Sequence, residues 1–192
     1  MAKIVVSQNV SLDGVVEDPT GEEGFKHGGW FDQLLAADAE AWAQIEYEEA
    51  LAAAALLMGR RTDEYFGSRW NGRDGAWAER LASLPKYVVS ATIDEPVWAN
   101  GTVLKGDVVD EVAALKRELD GEIIVYASRP LVHTLMEHDL VDELRLTVFP
   151  VVLGAGERLF GATADKVLLR PLGVRSVGDR LTHLTYEVVR SS

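Results

Sequence analysis

The stretch Leu56-Leu57-Met58-Gly59-Arg60-Arg61-Thr62 decides how the chain is read. Its three apolar residues have the character of a short strand, Gly59 ends it, and the polar residues that follow open a helical pattern through Tyr65 and Phe66. Where a strand passes into a helix, free backbone N–H groups and the positive end of the helix dipole attract an anion such as phosphate. Two guanidinium groups and a hydroxyl there can grip phosphate oxygens, and Gly59 lets a ligand come close to the backbone. Local sequence leaves a second reading open, in which Arg60, Arg61, Arg69 and Arg73 pair with the many surface acids.

Outward from this point, strands are expected at Lys3–Gln8, Tyr87–Ser90, Thr102–Lys105, Ile123–Tyr126 and Leu144–Phe149, with a late pair near Val167–Val177 and Leu181–Val189. Helical spacing places Leu35, Ala39, Trp42 and Ile45 on one face of a first helix. Trp77 and Leu81 mark a second, Val112, Leu115 and Leu119 a third, and Arg129 to His138 a fourth. Ile123-Ile124-Val125-Tyr126 is nearly continuous in apolar character, as in a strand covered on both faces, so the middle of the chain reads as β-α-β units on a mostly parallel sheet. The end alternates instead, and Gly178-Asp179 can turn the chain, so antiparallel strands are expected at one edge. With no repeat, low-complexity tract or linker, residues 1–192 read as one domain.

A formal net charge of -12 repels polyanions over most of the surface, which argues against nucleic acid and makes any focused positive charge informative. The longest apolar run, Ala50 to Met58, is too short to cross a bilayer, and Met1-Ala2-Lys3 leads into Ile4-Val5-Val6 without a signal-peptide pattern, so a cytoplasmic protein is expected. There are no cysteines, and the four histidines lack ligand spacing, so neither a disulfide frame nor a metal site is expected. A nucleophile elbow, a Walker-type loop and a Gly-x-Gly-x-x-Gly fingerprint are all missing.

Four further features carry chemistry. Tyr126-Ala127-Ser128-Arg129-Pro130-Leu131 is a second strand-to-helix junction, where Ser128 can either cap the helix or bond a phosphate oxygen. Pro150-Val151-Val152-Leu153-Gly154-Ala155-Gly156 follows a buried strand and is either a simple turn or a backbone surface for a ligand. Asp13, in Ser11-Leu12-Asp13-Gly14, could orient or protonate a substrate nitrogen if partial burial raises its pKa, or it could cap its own loop. Ser11 to Trp30 and Gly67 to Gly75 read as loops, and Trp30, Phe31, Tyr65 and Trp70 could stack on a planar ring or pack ordinarily. Of Glu46 and Glu49 on the first helix, at least one is expected to be a solvated charge.

Taken together, Ser11-Leu12-Asp13-Gly14, Met58-Gly59-Arg60-Arg61-Thr62, Tyr87-Val88-Val89-Ser90, and Leu140-Val141-Asp142-Glu143-Leu144 followed by Pro150 to Phe160 resemble the dihydrofolate reductase-like group. The nearer branch is the reductase domain of riboflavin biosynthesis and its small stand-alone bacterial relatives. The resemblance covers nearly the whole chain and rests on the order and spacing of the motifs. It implies a three-layer α/β/α fold with a mixed, mostly parallel central sheet and an antiparallel C-terminal edge. It also implies a homodimer that binds NADPH and reduces a nitrogen heterocycle or its sugar adduct, in the manner of 5-amino-6-(5-phosphoribosylamino)uracil reductase or dihydrofolate reductase.

Carried onto this sequence, the resemblance makes Gly59, Arg60, Arg61 and Thr62 holders of cofactor phosphates. It puts Ser90 near the adenosine 2'-phosphate and turns Ala127, Ser128, Arg129, Pro130 and Leu131 toward the pyrophosphate. The Asp13 loop borders nicotinamide and substrate, with Asp13 as the candidate proton donor, Gly154 and Gly156 line the same crevice, and Trp30 and Tyr65 are candidate substrate contacts. Two positions depart from the relatives: Ala127 stands where glycine is common, and Ala91 where a basic residue follows the serine. A methyl group at 127 is harmless at negative φ and strained at positive φ. A non-catalytic nucleotide- or flavin-binding protein is the alternative that these departures favour.

Overall fold

Apolar runs of four to ten residues become strands and the amphipathic stretches between them become helices. In chain order these are β1 (Lys3–Ser11), α1 (Trp30–Leu35), α2 (Ala39–Ala52), β2 (Ala53–Gly59), α3 (Arg60–Trp70), α4 (Ala76–Ser83) and β3 (Lys86–Val89). They continue as β4 (Gly101–Leu104), α5 (Val108–Glu118), β5 (Glu122–Tyr126), α6 (Arg129–Glu137), β6 (Glu143–Phe149), β7 (Leu168–Val177) and β8 (Leu181–Val189). This is a computed structural model that describes residues 1–161 and 166–190. The strand order is β4-β3-β2-β5-β1-β6-β8-β7. β2 runs parallel to β3 and β5, and β3 parallel to β4, whereas β6 with β8 and β8 with β7 are antiparallel, as the change in hydrophobic period predicts. Among the described residues no helix is long and apolar enough to cross a membrane.

The chain gathers into two compact units. The first comprises residues 1–6 and 47–142. Leu56, Leu57 and Met58 are fully buried, which is why this strand shows no alternation. Val5, Leu56, Met58, Val88 and Ile124 form a core with Leu81, Leu84 and Trp98, each such side chain contributing about 1.5–3 kcal/mol of burial. A lysine shares this interior: Lys86 is 1% exposed, and its Nζ donates to the carbonyls of Leu81 (2.6 Å) and Leu84 (2.9 Å) below the Trp98 ring. Burial pushes its pKa down to about 8. Asp142 accepts from the Ile4 N–H at 2.8 Å and pairs with Lys116 Nζ, fastening the start of β1.

One expected loop is shorter than the sequence suggests. Gly67 to Trp70 belongs to α3, because Gly67 is a packing glycine: a Cβ there would stand 2.7 Å from the Trp98 backbone nitrogen. The true loop begins at Asn71.

The second unit comprises residues 7–46 and 143–192. Its core is Trp30, Ile45, Phe149, Val177 and Leu181. The single helix expected over Leu35 to Ile45 is two, because Asp38, buried between them, accepts from the Asp179 N–H (2.8 Å) and from Arg180 Nε (3.0 Å). Glu49 is buried and Glu46 partly so, and the exposed glutamates of α2 are Glu40 and Glu48. His183 on β8 bonds Thr147 Oγ1 through Nδ1 at 3.0 Å, and burial together with Arg175 and Arg145 pushes its pKa down to about 4. β6 is buried or half-buried along its whole length, whereas β7 is exposed at all but its last residue.

Candidate functional site

In the first unit, parallel strands bring their carboxyl ends level. Val89 pairs with Gly59, and Leu56 with Ile124, so the register carries Gly59 alongside Ala127 and starts Ser90 at the same sheet edge as Arg60. Ligands of open parallel sheets bind beyond this edge. The two predicted junctions meet through one hydroxyl: Ser128 Oγ accepts from the Gly59 N–H at 3.0 Å and donates to Thr62 Oγ1 at 2.9 Å. Ser128 and Thr62 are both buried.

Ser128 therefore does not cap α6. Neither α3 nor α6 has a side-chain cap at its N-cap residue. Gly59 has φ -86°, a value open to any residue, and a Cβ there would meet nothing within 4 Å. This open backbone between two uncapped helix starts fits a phosphate. Arg60 and Arg61 are exposed, with Arg60 Nη1 paired to Glu64 at 2.8 Å across one helical turn. The surface-pair reading of Arg60 is thus realised without burying the guanidinium. A pair with both side chains nearly half exposed is worth under about 1 kcal/mol, so an arriving phosphate can compete for it.

The question posed by Ala127 is resolved by its backbone. Ala127 has φ +47° and Ser128 φ +53°, two successive non-glycine residues in the left-handed region, at a cost on the order of 1–2 kcal/mol each. The Ser128 hydroxyl helps hold them there. Ser90 is engaged locally, accepting from the Thr92 N–H at 3.2 Å. Tyr65 carries the Arg69 guanidinium 3.6 Å above its ring, so one face of that ring is already covered.

In the second unit, Asp13 holds two loops together. Its Oδ1 accepts from the Leu153 N–H (3.0 Å) and Ser11 Oγ (2.8 Å), and its Oδ2 from the Gly154 N–H (2.9 Å). The Leu153 N–H above all, then the Ser11 hydroxyl and Gly154 N–H, outweigh burial and pull the pKa down to about 2. The raised pKa that a proton donor needs is thus not found, and Asp13 is a carboxylate at neutral pH. Arg158 completes the latch, donating from Nε to the Asp13 carbonyl at 3.0 Å. Sequence reasoning overlooked this arginine. Its only signal was a charge directly after Gly154-Ala155-Gly156-Glu157.

Gly156 adopts φ +110°, and a Cβ would lie 2.8 Å from both Phe25 and Val15, so close packing as well as conformation requires glycine. Gly154 has φ +74° with open space around it. Trp30 is not available to a ligand: it is 2% exposed, stacks edge-on against Phe149 at 5.3 Å, and donates from Nε1 to the Glu17 carbonyl at 3.0 Å. Its indole is a core element.

This arrangement has known relatives. The family model described as the RibD C-terminal domain matches residues 2–183, and the chain belongs to that family. The Bacillus subtilis (strain 168) protein YyaP is 25% identical over 193 residues, covering 96% of this chain and 94% of YyaP. A crystal structure of a putative riboflavin biosynthesis protein from Shewanella sp. PV-4 superposes with a TM-score of 0.69 at 26% identity, covering 99% of this chain and 100% of that one. Dihydrofolate reductase from Enterococcus faecalis, solved with NADP(H), superposes with a TM-score of 0.58 at 14% identity over 98% of this chain and 97% of that one. That likeness shows the fold: a dihydrofolate reductase-like α/β architecture with a mostly parallel sheet and an antiparallel edge.

Proposed function

We propose that residues 1–192 act as one cytoplasmic, homodimeric reductase domain that uses NADPH to reduce a nitrogen heterocycle or its sugar adduct, a reaction of the riboflavin-biosynthesis type. The observation that carries this reading is the Gly59–Ser128–Thr62 hydrogen-bonded junction, which joins two uncapped helix starts beside Arg60 and Arg61 at the carboxyl ends of parallel strands. Membership of a reductase family and the NADP(H) bound by the Enterococcus protein point the same way.

When bound, NADPH supplies the hydride. In this reading Gly59, Thr62, Arg60 and Arg61, with the turn from Ala127 to Leu131, bind and orient its phosphates, and Ser90 lies toward the adenosine end. Tyr65 is a candidate contact for a planar group, with Arg69 and Phe66 already against its ring. Asp13 acts as a positioning residue: its charge fixes the Leu153 and Gly154 backbone, and the proton for the reduced heterocycle comes from water. The same ionised Asp13, with the strained methyl at 127, favours a second reading, a nucleotide- or flavin-binding protein without turnover.

Calorimetric titration with NADPH and with NADH, on wild type and on the Arg60→Ala, Arg61→Ala double variant, tests the proposal. Tighter binding of NADPH, lost at least tenfold in the variant, is expected. Absence of binding by either nucleotide overturns the cofactor assignment, and binding without turnover across a heterocycle panel selects the second reading.

A further inference from the structure

In the second unit the loops after β1 and β6 are tied into one patch, and Arg158 stands on it with most of its donors uncommitted. The Val16 N–H donates to the Glu157 carbonyl and the Leu159 N–H to the Gly14 carbonyl, both at 2.9 Å, so the backbone on either side of Arg158 is fixed. The guanidinium is aimed as well, because Nε donates to the Asp13 carbonyl at 3.0 Å. It does not serve to satisfy the Asp13 carboxylate. Nη2 stays 3.6 Å from Oδ2, outside hydrogen-bond reach, and that carboxylate already accepts from the Ser11 hydroxyl and from the Leu153 and Gly154 N–H groups. An arginine acting as its ion-pair partner closes fork to fork, at about 2.7–2.9 Å. Among the described residues the two Nη groups make no hydrogen bond, and the side chain is 49% exposed.

We propose that Arg158 binds the oxyanion, phosphate or carboxylate, of a small ligand whose planar or apolar body rests on Leu12 and Val152. Those two side chains are each 66% exposed. The Leu12 N–H donates to the Val151 carbonyl at 2.9 Å and the Leu153 N–H to Asp13 Oδ1 at 3.0 Å, so Val152 lies level with Leu12 and Asp13. Nothing crowds the approach, since a Cβ at Gly14 or Gly154 would meet no atom within 4 Å. A fixed cation with open N–H edges beside aliphatic surface is the pairing of polar anchor and apolar wall that small-ligand sites use, and a guanidinium gives up its water more readily than an ammonium. The nearby negative charge is already answered. Three donors, none of them Arg158, hold the Asp13 carboxyl down to a pKa of about 2.

The inference deepens the function proposed above and rests on it in one respect, that the ligand is the molecule reduced; it gives that substrate an anionic end. The site itself is built wholly from residues of the second unit, and its occupation does not depend on which nucleotide binds.

Residue-resolved NMR titration of the full chain with phenyl phosphate, benzoate, inorganic phosphate and phenol tests it, on wild type, Arg158→Gln, and the Leu12→Ala, Val152→Ala double variant. Phenyl phosphate or benzoate is expected to shift the Gly14, Leu153 and Gly154 amides of the wild type, with phenol weaker by at least about tenfold, and the tighter of the two anions names the oxyanion. Arg158→Gln should cost at least about tenfold in that affinity, and the double variant should bring phenyl phosphate down to the level of inorganic phosphate. Equal binding by wild type and Arg158→Gln, or by phenol and the anions, overturns the site. Shifts confined to the Gly59 and Ser128 amides overturn it too, while leaving the cofactor reading in place. Retained shifts in a protein that binds neither NADPH nor NADH support the site and overturn that cofactor reading instead. Should Arg158→Gln fail to fold, the wild-type Arg158 Nε–H resonance reads the same contact: a shift that saturates with an anionic probe and not with phenol supports the site, and an unmoved resonance overturns it.

Discussion

The turn at Ala127-Ser128 and the paired loops around Asp13 solve one problem in opposite ways. Each holds backbone N–H groups in a conformation that the chain would not adopt unaided. The first has no glycine at its two left-handed positions and depends on one hydroxyl reaching Gly59 and Thr62. The second puts glycine at its left-handed positions Gly14, Gly154 and Gly156, and secures them with a carboxylate that accepts three hydrogen bonds. One turn is strained, and the other is relaxed and densely held. Strain that persists beside a candidate ligand site marks a place where the ligand can supply the missing stabilisation.

The comparison breaks most severely at Gly156. Replacement by valine asks a branched residue to sit at φ +110° with its Cβ against Phe25 and Val15. A loss of about 4 kcal/mol, read by urea unfolding, is expected. A loss below about 1 kcal/mol would show that the loop shifts freely and that its dense bonding counts for little.

Asp13→Asn comes next. The amide keeps the shape but loses the charge and must present an NH₂ group to N–H donors, so a loss of about 2 kcal/mol is expected. The pH dependence sharpens this. With a folded pKa of about 2, below the ordinary aspartate value of 3.8, the Asp13 contribution is complete above about pH 4 and is lost as the pH falls through 2. The step between these values should shrink in the Asn variant. An unchanged acid limb would remove the carboxylate from the latch.

How far the sequence was legible follows the same division. Period and composition were enough for the strands and for the change from parallel to antiparallel pairing, since both depend on which faces are buried. The two strand-to-helix junctions were legible because their N–H groups follow from local geometry. What escaped was set by distant partners. Trp30 looked like a loop residue until Phe149 and the Glu17 carbonyl enclosed it. Gly67 looked like a loop until the Trp98 backbone required its missing Cβ. Lys86 belongs to the core only because carbonyls at the C-terminal end of α4 receive its ammonium. Asp13 suggested a proton donor because nothing near it in sequence revealed that Leu153 and Gly154 would drive its pKa down.

The smallest expected effect is the most discriminating. Ala127→Gly removes a methyl from a residue at φ +47°, relieving about 1–2 kcal/mol of strain, while the added freedom of glycine in the unfolded chain returns about 0.4–1 kcal/mol. The net gain should be under about 1.6 kcal/mol, with NADPH affinity rising a few-fold because the turn no longer resists the liganded conformation. Combining it with Ser128→Ala turns that small number into a test of mechanism. If the hydroxyl is what holds the strained turn, the turn relaxes once the hydroxyl is gone, and Ala127→Gly then gains little in the Ser128→Ala background. If the two changes simply add, the strain is held by something other than Ser128, and the Gly59–Ser128–Thr62 junction is a bystander to the conformation beside it.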